Sequence, residues 1–170
     1  AQETLEKAYA SGIRYFDTAP WYGHGLSEHR FGYLLRKRLR RDFLLSTKVG
    51  RVYQAFSGDA ECFEGAPWAG GLPFEWRFDY SSDGLRRSFE DSIIRLGLNR
   101  IDLLVIHDLD RSYHGENVAE KLQELESGMR WLREMKGSGI ISGFGAGINE
   151  AEMMPLFLEH FYLDFFLVAM

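Results

Sequence analysis

The sequence predicts an α/β fold, a TIM-type (β/α)8 barrel present in part, and three observations carry that expectation. β-Branched and aromatic runs alternate with helical patterns in units of about thirty residues or more, the mark of parallel βαβ units with right-handed crossovers. An open doubly wound sheet ordinarily shows a glycine-rich phosphate loop after its first strand, but Asp17-Thr18-Ala19-Pro20-Trp21-Tyr22 stands there instead. Polar residues gather just past several strand ends, as they do at the mouth of a closed barrel. Five strands are visible, so the expected content is strands 2 to 6 of the barrel with their helices, in a single partial domain spanning residues 1–170.

Each element has its own signal. Residues 2–11 have the spacing of an amphipathic helix closed by Gly12, because glycine most easily takes the left-handed conformation that ends a helix. Ile13 to Asp17 is a β-branched and aromatic strand, and Pro20 stops it. Ser27 is expected to cap the next helix, which Glu28, Phe31, Leu34 and Leu35 continue with the spacing of a surface helix. Phe43 to Val49 reads as the second strand, closed by Gly50. From Arg51 to Tyr80 no period is sustained. Gly58, Gly65, Pro67, Gly70, Gly71 and Pro73 punctuate it, so a long loop is expected, and loops of that length are usually functional or disordered.

Ser82 or Asp83 is expected to cap a helix that runs to about Leu96 and ends at Gly97. Ile101 to Ile106 is nearly all apolar, as in a strand buried on both faces. A helix over Asn117 to Lys136, a glycine-rich strand over Ile140 to Ile148, a helix over Glu150 to His160 and an apolar strand over Asp164 to Met170 complete the series. Gly143, Gly145 and Gly147 alternate along their strand without the spacing of a dinucleotide loop, so they are expected to relieve crowding inside a barrel.

Composition sets the outer bounds. With 45% hydrophobic and 26% charged residues, the chain has the make-up of a soluble globular domain with one core. No apolar run approaches the ~20 residues that cross a bilayer, and no signal-peptide order opens the chain. No membrane partner and a cytoplasmic setting are therefore expected. The single cysteine, Cys62, fits a reducing compartment. A net charge of -5 argues against a nucleic-acid partner, since phosphate recognition needs a positive footprint. The basic run Arg36 to Arg41 is read as the solvated end of a helix, where cations suit the helix dipole. His24, His29 and His114, with Asp108 or Asp110, repeat no metal-ligand spacing, so no metal is expected.

Asp17, Lys48 and His107 each close a strand, and Tyr22 follows Asp17 by a few residues. Each alone has a structural reading: an aspartate capping a turn, a solvated lysine, a satisfied core histidine. Together they would meet at one mouth, and burying an ammonium with a carboxylate is costly unless the two are paired. The chemistry they suit is proton transfer coupled to hydride transfer at a carbonyl or alcohol carbon. A free phenol, with a pKa of about 10, is a poor base at neutral pH. A nearby ammonium favours phenolate, and a carboxylate keeps that ammonium charged and in place. His107 would donate to the substrate oxygen. The hydride itself requires a cofactor, because no side chain supplies one.

The stretches Phe16-Asp17-Thr18-Ala19, Trp21-Tyr22-Gly23, Ser27-Glu28, Ser46-Thr47-Lys48 and Ser92 to His107 resemble the aldo-keto reductase family from end to end of the chain. The segments WYGHGLSEHR, LSTKVGR and GAGINE are similar to its sugar-oxidising branch of D-threo-aldose (L-fucose) 1-dehydrogenases and pyridoxal 4-dehydrogenase-like proteins. The resemblance implies a catalytic tetrad of Asp17, Tyr22, Lys48 and His107. It also implies an NADP or NAD cofactor contacted by Asp17, Thr18 and Asn149, with Asn149 holding the nicotinamide carboxamide. Ile148 stands where the family usually has a serine that gives a second hydrogen bond.

The implied partner is a small sugar or aldehyde, contacted by Trp21, Tyr22 and His107. Phe56, Phe63, Trp68, Phe74 and Trp76 of the long loop are either pocket walls or packing for the barrel rim. The family holds the rest of the dinucleotide mainly with loops after its last two strands, which are expected to lie outside this segment. Two further readings stay open: a non-catalytic NADPH-binding regulatory subunit, and an inactive fragment.

Overall fold

The computed structural model describes residues 1–169. Its centre is a five-stranded, wholly parallel sheet with strand β1 (Tyr15–Asp17) at one edge. Beside it lie β2 (Leu44–Val49), then β5 (Leu103–His107), β6 (Gly143–Ile148) and, at the far edge, β7 (Phe165–Val168). Met170, expected to end the last strand, lies outside the described residues. Helices α1 (Gln2–Ala10), α2 (Leu26–Leu35), α3 (Ser82–Leu96), α5 (Val118–Gly137) and α6 (Met153–His160) connect the strands, with a one-turn α4 (Arg111–His114) before α5. Parallel strands that alternate with helices make a curved half barrel. Among the described residues β1 pairs only with β2, and β7 only with β6.

The core lies between the sheet and its helices. Leu45, Leu104, Ile106 and Phe144 from the sheet meet Leu85, Leu96, Leu125, Leu132 and Phe157 from the helices, all buried. The nearly unbroken apolar character of β5 follows, since it sits at the centre of the sheet. The glycines of β6 relieve crowding as expected: a Cβ on Gly145 would collide with the carbonyl of Phe165, and one on Gly147 would press on Val105.

Several local readings are corrected. Residues 51–80 are not an irregular loop throughout, because β3 (Arg51–Ala55) and β4 (Phe74–Phe78) form an antiparallel ribbon in register from Arg51 opposite Phe78 to Ala55 opposite Phe74. Ser81, rather than Ser82 or Asp83, caps α3, its hydroxyl accepting from the Gly84 amide at 3.1 Å. Ser27 does not cap α2: Gly25, at φ 96°, holds that position, and the Ser27 hydroxyl bonds to that of Thr18 at 2.9 Å. Glu28 is not a surface residue but fully buried, accepting from Thr47 and Arg95 at 2.6 Å each. The basic run lies past the end of α2, and within it Arg40 is not simply solvated, for it pairs with the buried Asp102.

Candidate active site

The barrel register brings the strand-end residues together. Asp17 lies opposite Ser46, and Lys48 follows two residues on, opposite Val105. Lys48 Nζ donates to Asp17 Oδ2 at 2.6 Å and to the Thr18 carbonyl at 3.0 Å. The Ser46 hydroxyl donates to the other carboxylate oxygen. The lysine side chain is buried while that of Asp17 keeps 28% of its exposure, so the pair is reached by water from one side only. Tyr22 places its ring 4.7 Å from the ammonium, and His107 meets the same ring edge-on with centroids 6.0 Å apart. Tyr22, Lys48, His107 and Asn149 line one cleft of about 200 Å³, floored by Gly147 and Ile148. Larger grooves, of about 430, 330 and 280 Å³, lie elsewhere, and none of the three brings a lysine to a tyrosine.

The remaining predicted residues divide. Asn149 lies in the cleft wall, its side-chain amide donating to Asp108 at 3.1 Å and Asp110 at 3.0 Å, which leaves its Oδ1 as the acceptor it can offer. Burial pushes the Asp110 carboxyl above the usual aspartate range, against hydrogen bonds from Asn149 and Glu150. Thr18 is fully buried and contributes its carbonyl to Lys48, not its side chain to the cleft. Trp21 packs edge-on against Trp76 at 4.8 Å and Trp68 at 6.0 Å, and Trp68 also reaches the Tyr22 ring at 5.5 Å. Trp68 therefore stands beside Tyr22, while Trp76 lies one layer out, behind Trp21 and Arg51. Phe56 and Phe63 pack against each other, and Phe63 against His24. Phe74 gives its carbonyl to His24 Nδ1 at 3.1 Å.

One site residue was missed from the sequence. Gly50, at φ 109°, turns the chain between β2 and β3, and a Cβ there would press on the Tyr80 ring. That turn sends Arg51 back over the barrel mouth, where it is 2% exposed. Its Nη1 lies 2.9 Å from His107 Nδ1, and its Nη2 lies 2.8 Å from Asp108 Oδ2. The second contact is an ion pair by distance without a well-directed hydrogen bond, and Nε has no hydrogen-bond partner. Aromatic faces replace those bonds: Trp21 and Trp76 at 4.8 Å each and Phe78 at 4.4 Å surround the guanidinium. The alternation Phe74-Glu75-Trp76-Arg77-Phe78 was the available signal for the ribbon that carries this ring of aromatics.

His107 is held from several sides. Tyr80 donates its hydroxyl to the His107 carbonyl at 2.9 Å, and burial raises the Tyr80 pKa well above its usual value. Asp108 follows in the left-handed region at φ 54°, uncommon for a residue with a Cβ. Burial first, then the charges of Arg51 and Lys48, hold the His107 pKa well below the ordinary histidine value. Burial also lowers that of His114.

These shifts have a sign for stability. The unfolded chain takes up protons near the ordinary histidine value of about 6.5, while the folded chain refuses them, so these histidines favour folding above that pH and oppose it as the pH falls below. Chemical denaturation of the full-length protein is expected to give a lower midpoint at pH 5.5 than at 7.5, with a smaller difference in His107→Gln. Equal midpoints in the unaltered protein would contradict this account.

A half barrel that gathers a carboxylate, an ammonium, a phenol and an imidazole at one mouth defines a class: α/β-barrel proteins with a polar cluster at the ends of their parallel strands. The chain belongs to the aldo/keto reductase family, whose sequence model matches residues 1–170. It is 41% identical over 178 residues to pyridoxal 4-dehydrogenase of Microbacterium luteolum, covering 99% of this chain and 52% of that protein. It is 37% identical over 175 residues to D-threo-aldose 1-dehydrogenase of Pseudomonas sp, covering 99% and 50%. Among solved structures, the holo form of aldo-keto reductase AKR11C1 from Bacillus halodurans superposes with a TM-score of 0.73 at 23% identity, over 99% of this chain and 48% of that one. The chain spans about half the length of the curated relatives it matches.

Proposed function

We propose that the full-length protein is an NAD(P)-dependent oxidoreductase that oxidises the anomeric hydroxyl of an aldose or interconverts an aldehyde and its alcohol. The observation that carries this reading is the Lys48 ammonium, bound to Asp17 at 2.6 Å and set 4.7 Å from the Tyr22 ring. A bound nicotinamide supplies the hydride acceptor or donor. The cleft suits such a group, since Asn149 has spent both amide hydrogens on carboxylates and presents an oxygen that can accept from a carboxamide.

The rest of the work falls to this chain. Tyr22 takes the hydroxyl proton in oxidation and returns it in reduction; Lys48 stabilises the phenolate; Asp17 holds Lys48. His107 orients the substrate oxygen. Trp68, packed on the Tyr22 ring, and Trp21 against it offer apolar surface beside the phenol for the substrate to rest on. The names of the relatives, all dehydrogenases or reductases where the activity is named, support an enzyme over a regulatory subunit. The reading includes a cytoplasmic setting, supported by the lone free thiol of Cys62.

The test is direct: initial rates, by the full-length protein, of dinucleotide reduction with a panel of aldoses and NAD or NADP, and of dinucleotide oxidation with a panel of aldehydes and NADH or NADPH. Turnover of at least one aldose or aldehyde is expected. A folded protein that binds dinucleotide and turns over none of them would overturn the proposal.

A further inference from the structure

Arginine carries only donors, so a ring nitrogen 2.9 Å from a guanidinium nitrogen must be the bare, accepting one. In a neutral imidazole the proton then sits on the other nitrogen. That nitrogen, His107 Nε2, lies 3.4 Å from Asp108 Oδ2, too far for a committed hydrogen bond but close enough to be steered. Protonating Nδ1 would set two donors and two positive charges against each other in a buried place, with Lys48 adding a third charge from β2. The charges that face the ring are thus Arg51 from β3, Lys48 from β2 and Asp108 beside it, with the Tyr22 phenol opposite.

We propose that Arg51 and Asp108 are positioning residues: Arg51 locks His107 as the neutral Nε2–H tautomer, and Asp108 holds Arg51 in place to do so. His107 then offers the substrate oxygen a fixed donor and exchanges no proton with it, which leaves Tyr22 as the sole proton-transfer group. This inference rests on the oxidoreductase reading for its consequence but not for its test. Asp108 is itself anchored through Oδ1 by the Asn149 amide at 3.1 Å, so the residue that faces the nicotinamide in the reading above also braces the lock.

The experiment is side-chain nitrogen NMR on the full-length protein with labelled histidine. In the unaltered protein His107 is expected to show a bare Nδ1 and a protonated Nε2 across the neutral and mildly acidic range. In Arg51→Met the signal should become a tautomer mixture that takes up a second proton nearer the usual histidine value of about 6.5. The pH profile of kcat should gain an acidic limb there, and kcat at neutral pH should fall by roughly 100-fold with dinucleotide Kd unchanged. Arg51→Lys, which keeps a donor and a charge, should restore the tautomer and recover part of kcat.

A protonated Nδ1 in the unaltered protein overturns the proposal without recourse to any variant. An unchanged tautomer in Arg51→Met overturns it as well. Should Arg51→Met fail to fold because Asp108 is left unpaired, the pair Arg51→Met with Asp108→Asn removes the orphaned charge and is read in the same way. If the expected tautomer is found but no substrate is turned over, the oxidoreductase reading fails while the lock stands; turnover with the opposite tautomer does the reverse.

Discussion

Replacing Tyr22 with Phe is expected to lower kcat by about 10²- to 10⁴-fold, the range that a positioned acid–base group contributes, while dinucleotide affinity stays the same. The substitution removes one hydroxyl and keeps the ring, whose edge contacts with Trp68 at 5.5 Å and His107 at 6.0 Å need no oxygen. The cleft therefore keeps its shape. Steady-state rates with the best substrate, alongside a fluorescence titration with dinucleotide, separate the two effects. A variant that retains a tenth or more of the rate would remove Tyr22 from the proton-transfer role.

Lys48→Met is expected to cost a similar factor by a different route, because it leaves the phenol in place and takes away the charge that favours its ionised form. The loss should shrink as the pH is raised into the alkaline range, where hydroxide does what the ammonium did. No such recovery is expected for Tyr22→Phe. The contrast between the two pH–rate profiles is the diagnostic, and parallel profiles would reject it. Folding should survive: breaking a buried ion pair by deleting one partner typically costs about 3–5 kcal/mol, but Asp17 keeps its Ser46 hydrogen bond and part of its water contact, so the cost here lies below that range.

What could be read from the sequence, and what could not, follows from how far apart the interacting residues lie. The strands of the parallel sheet announce themselves locally, since Leu103 to Ile106 is apolar throughout and Gly97 takes the left-handed φ of 62° at the end of α3. The gathering of Asp17, Lys48 and His107 was legible because all three lie at or near strand ends, which a parallel sheet puts on one side, and Tyr22 follows in the turn after β1. The ribbon of β3 and β4 was not, because the residues from Phe56 to Pro73 intervene between its strands, with no tight-turn pair to join them. Glu28 read as a surface residue because its partners, Thr47 and Arg95, are 19 and 67 positions away. Arg51 was hidden for the same reason: its meaning depends on His107, 56 positions on, and on a turn at Gly50 that reverses its direction.

That turn carries a practical lesson for anyone who would retarget the protein. The flap that bears Trp68 and Trp76 invites diversification toward new substrates, yet its first residue is bolted to the machinery underneath. A graft or random library that keeps Arg51, with the Trp76 and Phe78 rings that hold its guanidinium, leaves the imidazole's setting intact. One that starts at Gly50 discards it, and would yield well-shaped pockets with little chemistry in them.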